Sequence, residues 1–181
     1  MRKTITWAFV AFIVIPCAAV SGKNPKFSFG GGLLGYAETT GAGEVRCVGG
    51  EPTVGVLPCS EGTIRIFGRG EEQIWYTVYD SVFPDPVAAM LDGPITFVVN
   101  CNFNAEYRGP CWGTFTWEVQ DAGGTWEGQW TTPIMDLMTY ESEISMVGFG
   151  DGGSLDGMQL KLDGYSNPGE PYITFTVRIK E

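Results

Sequence analysis

From Gly109 to Pro133 apolar and polar positions alternate with a period of two. In a first arm Gly113, Phe115, Trp117 and Val119 alternate with Thr114, Thr116, Glu118 and Gln120. In a second arm Trp126, Gly128 and Trp130 alternate with Thr125, Glu127, Gln129 and Thr131. That period belongs to half-buried strands and predicts a hairpin with its rings on one face. A two-residue Gly123-Gly124 turn would set Trp117 opposite Trp130 and Glu118 opposite Gln129. An Ala122-Gly123 turn would set Glu118 opposite Glu127, a like-charge pair that costs stability. The first register is preferred, because Gly-Gly readily supplies positive φ at both turn positions.

The same pattern recurs along the chain. An irregular edge strand is expected within the glycine-rich stretch from Lys23 to Gly43, followed by a loop between Cys47 and Cys59. Thr63–Phe67 and Gln73–Tyr79 flank Gly68-Arg69-Gly70-Glu71-Glu72 and read as a second hairpin. Asp85, Pro86 and Asp92-Gly93 bracket one short helix over Val87–Leu91. Ile95–Phe103 is apolar nearly throughout, as in a strand buried on both faces. Ile134–Tyr140 fits either a strand or a connecting turn. Glu143–Gly148 and Gly157–Leu162 predict strands around a glycine-rich turn. Tyr172–Lys180 closes the chain, with Ile173, Phe175, Val177 and Ile179 pointing in and Thr174, Thr176, Arg178 and Lys180 pointing out. The expectation is an all-β antiparallel barrel of about eight strands, with a sandwich as the alternative, one short helix and two disulfides.

The first residues change the picture of where this domain works. Arg2 and Lys3 precede an apolar run from Trp7 to Ile15, and small residues follow at Ala18, Ala19 and Ser21. This is the pattern of a secretory signal, expected to span 1–21 and leave a single domain over 22–181. Pro16 stands before Cys17 where a lipoprotein signal has a small residue, so acylation of Cys17 is not expected. An exported protein, periplasmic or extracellular, with no transmembrane segment after cleavage is the reading. Loss of Arg2 and Lys3 leaves nine of the 11 basic residues against 21 acidic ones, a net charge of −12. Such a surface repels phosphate backbones and argues against a nucleic-acid partner. Cys47, Cys59, Cys101 and Cys111 remain, an even set that reads as two disulfides in an oxidising compartment. Three connectivities are open; local pairing closes short loops and suits the segmentation.

The runs GTFTW at Gly113, GTWEGQW at Gly124 and GFGDGGSLDG at Gly148 resemble those of uncharacterised exported bacterial proteins. More distantly they are similar to the allene oxide cyclase and dirigent β-barrels, whose glycine-rich hairpins close an eight-stranded barrel. The resemblance covers about the last seventy residues. It rests on glycine and aromatic spacing, so it implies a fold and carries over no catalytic position.

The chain contains no histidine, which removes Ser-His-Asp and Cys-His chemistry and histidine metal sites. Paired carboxylates remain as an enzymatic option, with Glu118 and Glu127 on one face of adjacent strands the candidates. Solvent-facing glutamates on the polar side of a hairpin are the preferred explanation. Asp151, Asp156 and Asp163 each precede a glycine, but they lack the alternating acid spacing of a calcium loop, and turn chemistry accounts for them. No metal or other cofactor is expected. Trp117, Trp126 and Trp130 read as core. Trp112 falls on the opposite parity beside Cys111 and is the first choice for a ligand contact, with Glu118 and Glu127 beside it as candidates. The expected function is a non-catalytic exported barrel binding a small apolar ligand, an oligosaccharide or an envelope partner. The alternatives are a cyclase-like barrel enzyme acting on an apolar substrate, and a structural surface protein.

Overall fold

The computed structural model describes residues 26–41, 43–54, 57–78, 88–166, 168 and 172–181. The expected signal segment, 1–21, and residues 85–87 of the expected helix lie outside them. The described chain is all-β: β1 Lys26–Gly41, β2 Glu44–Val48, β3 Arg65–Val78, β4 Pro94–Asn104, β5 Arg108–Val119, β6 Gly124–Asp136, β7 Ser142–Asp151, β8 Gln159–Ser166 and β9 Tyr172–Lys180. These nine strands form one antiparallel sheet in the order β1-β9-β8-β7-β6-β5-β4-β3-β2, and β1 pairs additionally with β3. Among the described residues helix is confined to 3₁₀ turns at Ala88–Met90, inside the stretch expected to be helical, and at Gly153–Leu155, which was not expected.

Four expectations about individual elements change. β1 is not an edge: its Gly32–Leu34 faces Val78–Tyr76 of β3 on one side and Thr174–Tyr172 of β9 on the other. The expected second hairpin is instead one continuous strand, β3, with a bulge at Arg69 and Gly70. Gly70 takes φ 69°, which inserts one residue instead of reversing the chain. β4 is buried on one face only: Ile95, Phe97, Cys101 and Phe103 are buried, while Thr96, Val98, Asn100 and Asn102 are half-exposed. The central hairpin adopts neither register considered above. Trp117 faces Trp126, Gly113 faces Trp130, and Val119 faces Gly124 across a Gln120–Gly123 connection.

Packing explains this last register. The preferred alternative would have set Trp117 against Trp130; the observed register sets Trp117 against Trp126 instead. The observed one gives each of two large rings a glycine opposite: Gly113 faces Trp130 and Gly128 faces Phe115. The Trp130 indole lies across Gly113 and its Nε1 donates to Val98 O on β4 at 3.1 Å. Phe115 reaches over Gly128 as far as Gly148 on β7, where its Cζ would lie 2.8 Å from an added Cβ. A slip of two residues preserves the pleat, so the rings kept their face while their partners changed.

The core-facing side of β4–β9 is packed with buried side chains. Trp117, Trp126, Met146, Leu160, Leu162 and Val177 are fully buried, and Phe97 meets Trp130 edge-on at 5.7 Å. In β9, Ile173, Phe175 and Val177 are buried as the alternation predicted. Trp126 Nε1 donates to Met90 O at 2.8 Å, which ties the 3₁₀ turn over one end of the core. Tyr107 Oη donates to Cys59 O at 2.7 Å, fastening the β4–β5 turn to the first cysteine loop. The disulfides are the local pair, Cys47–Cys59 and Cys101–Cys111, the second between directly opposed residues of β4 and β5. Two such bonds point to an oxidising, non-cytoplasmic environment. Among the described residues no helix is long and apolar enough to cross a membrane.

Two predictions follow from this packing. In Gly113→Ala the new Cβ meets Val98 O and Trp130 Nε1, so the variant should lose about 1–3 kcal/mol to overpacking. Urea unfolding of the oxidised protein measures that loss. Trp126→Phe should cost more than Trp117→Phe, because it also strands the Met90 carbonyl, a further penalty of about 1–3 kcal/mol. Trp117 Nε1, by contrast, has no hydrogen-bond partner among the described residues. Equal losses in the two variants would show that the Met90 bond contributes nothing.

Candidate functional site

On the outward side of the sheet rings and cations gather across β2–β5, around the β3 bulge. At the bulge Arg69 and Gly70 together oppose Asn100 alone. The displaced Gly70 amide donates to Asn100 Oδ1 at 3.1 Å, and Asn100 Nδ2 donates to Trp112 O at 3.3 Å. One side chain thus satisfies the bulge and ties it to β5. Bulges re-aim the side chains they carry, and here Arg69 is laid across β4. Its Nη1 donates to Cys101 O at 2.8 Å and Gly68 O at 2.7 Å, and its Nη2 donates to Asn102 Oδ1 at 2.9 Å.

So held, the guanidinium lies between two rings. Arg69 Cζ is 5.1 Å from the Trp112 ring centroid and 5.6 Å from that of Phe67, and Arg65 Cζ is also 5.6 Å from Phe67. These are cation–π distances, each worth about 0.5–1 kcal/mol at an exposed site. Trp112 is 36% exposed and Phe67 is half-buried. Arg46 on β2 stands directly opposite Phe67 and is exposed, extending the row to a fourth strand. Ion pairs among the described residues are Arg108–Asp136, Lys161–Asp163 and Arg178–Asp163, so none involves Arg46, Arg65 or Arg69. Beneath this row, on the core side, Cys101 and Cys111 are buried and bonded. The arrangement offers partly exposed rings, amide groups and cations that form no ion pair among the described residues, with Glu44 of β2 directly opposite Arg69, held on a stapled pair of strands.

Trp112 is therefore an exposed ring, where parity put it. Glu118 and Glu127 are exposed too, but they face Thr125 and Thr116 and meet only on the diagonal. Six residues of strand, roughly 20 Å, separate Glu118 from Trp112, so the structure does not bring these acids to the aromatic row. Asp163 accepts from Ser145 Oγ at 2.5 Å and pairs with Lys161 and Arg178. Asp156 ends the second 3₁₀ turn. No group of three or more metal-ligating side chains occurs among the described residues. An open groove of about 750 Å³ lies elsewhere, over Pro133, Ile144, Asp163, Tyr165 and Phe175. Its acids are Asp163, already paired, and Glu143, and no cation–π pair among the described residues lies there, so we place the candidate site at Trp112.

Phe67, Arg65, Arg69, Asn100 and Asn102 were not singled out from the sequence. Reading 68–72 as a loop removed Arg69 from any strand face. A signal was present: buried Ile66 is an even position and core-packed Trp75 an odd one, the one-residue phase slip of a bulge.

Arg69→Lys should loosen this row, because an ammonium cannot span two rings while bonding Cys101 O and Asn102 Oδ1. We expect a red shift of tryptophan emission and stronger acrylamide quenching, with far-ultraviolet dichroism unchanged. An unaltered quenching curve would mean that Arg69 does not hold Trp112.

Comparison with protein-family models, with curated proteins and with solved structures found no match.

Proposed function

We propose that this protein is an exported, non-catalytic β-barrel domain that binds a ligand on its outer surface, at Trp112, Arg69 and Phe67. Closure of the barrel is supported by β1, whose Gly32–Leu34 pairs with both β3 and β9. Export is supported by the signal-like start and by the two disulfides. The observation that carries the proposal is the contrast between the two sides of the sheet. The core-facing side is packed with Trp117, Trp126, Phe115 and Trp130, while Trp112 lies partly exposed, stacked on an immobilised guanidinium. Large rings packed along β5 and β6 on the core side favour binding on the outer face.

Support for a non-catalytic role comes from the chemistry on offer. The chain has no histidine, Cys47, Cys59, Cys101 and Cys111 are bonded in pairs, and Glu118 and Glu127 stand on an open face. An enzyme similar to the allene oxide cyclases would work inside the barrel, where large rings are packed along β5 and β6.

The test is tryptophan fluorescence of the oxidised 22–181 chain titrated with lipids, phenolics and oligosaccharides. A saturable change with one class, lost in Trp112→Ala and kept in a variant at the distant Glu127, is the expected result. A response that survives Trp112→Ala would move the site elsewhere, and no response to any class would favour a purely structural role.

A further inference from the structure

We infer that the ligand of the Trp112 face is a carboxylate-bearing oligosaccharide whose charges are sparse, an inference that rests on the proposed reading of this face as a binding site. The rings carry the first part of the argument. Phe67 lies on β3 and Trp112 on β5, with β4 between them, so they stand two strand spacings apart, about 10 Å. Two flat apolar surfaces at that separation suit an extended ligand of several rings, each with an apolar face, better than a single small molecule. Between the rings lie the side-chain amides of Asn100 and Asn102 and the Arg69 guanidinium. Arg69 has three of its five donors engaged. Rings with hydroxyl-bearing edges match this mixture of stacking and donors, whereas an acyl chain would leave the donors unpaired.

Charge carries the second part. After loss of Arg2 and Lys3 the chain has nine basic residues, and three of them, Arg46, Arg65 and Arg69, border Phe67. None is in an ion pair among the described residues, although acidic residues outnumber basic ones more than twofold. A guanidinium fork is matched to a carboxylate and can bind it through two parallel hydrogen bonds. The net charge of −12 acts in the opposite direction on a long, dense polyanion, which the domain as a whole repels. At physiological ionic strength the screening length is about 8 Å, so the local arginines govern contact while a dense polymer still meets the acidic surface beside them. Single-stranded nucleic acid would use the same stacking and cations, but it brings a charge at every unit. Uronate-containing chains, in which carboxylates sit on stackable rings, fit both requirements.

The experiment titrates the oxidised 22–181 chain with short oligomers of galacturonate, guluronate and glucuronate-containing hyaluronan. Each is paired with its carboxyl-esterified counterpart, and oligo(dT) is included. We expect one uronate to bind about tenfold tighter than its ester, with the difference shrinking as salt is raised. The double variant Arg46→Gln, Arg65→Gln alters only exposed side chains; it should bring the acid-to-ester affinity ratio from about ten to about one. Trp112→Ala should abolish both. If ester and acid bind equally and the double variant changes nothing, the carboxylate inference is overturned while the outer-surface site stands. Tighter binding of oligo(dT) than of every uronate would overturn it in favour of nucleic acid. If no oligomer binds, or binding survives Trp112→Ala, the site reading falls with it.

Discussion

Large rings need room on the face of a sheet whose strands lie about 4.8 Å apart, and in this protein glycines on neighbouring strands provide it. A Cβ on Gly113 would meet the Trp130 indole and the Val98 carbonyl, and one on Gly148 would meet the Phe115 ring. The register of the central hairpin accommodates that fit, and the Gln120–Gly123 turn closes it with the Gly123 amide donating to Val119 O. Once the rings interlock, with Phe97 edge-on to Trp130 and Trp126 bonded to the Met90 carbonyl, the core side of β4–β9 is packed. That packing directs the question of function to the other face.

On that face a single inserted residue matters most. The bulge at Arg69 and Gly70 leaves one amide unpaired, and Asn100 both satisfies it and reaches the backbone of Trp112. The same displacement lays Arg69 over β4, where the carbonyl of Cys101 receives it. Cys101 is bonded to Cys111, the neighbour of Trp112, so the disulfide beneath and the guanidinium above fix the same two strands. A binding surface gains from such fixing, because side chains already ordered lose less entropy when a ligand arrives. Among the described residues Arg46, Arg65 and Arg69 form no ion pair, although Glu44 of β2 stands directly opposite Arg69. Burial on the inside and charge on the outside are thus two consequences of the same β3–β5 region.

Much of this fold was legible in the chain. The parity of Trp112 against Trp117, Trp126 and Trp130 told exposed ring from core rings, and the alternation of Ile173, Phe175 and Val177 gave the inner face of β9. The short cysteine spacings suited the pairing that is found. The β3 bulge was not read, because a glycine-flanked arginine between two strand-like runs has the composition of a turn. A bulge and a hairpin differ only in whether other strands continue the ladder past it. That information lies in β1, β2 and β4, not in 68–72.

By itself the sequence determined the β class, the division of residues between core and solvent, and the cysteines available for stapling. Those properties depend on a residue and its near neighbours, and parity survives any two-residue slip. The tertiary structure alone decided which ring meets which glycine, where β1 pairs, and that Phe67, Arg69, Asn100 and Trp112 share one surface. Cross-strand partners are chosen by how side chains from distant segments fill space together, and no local period records that choice.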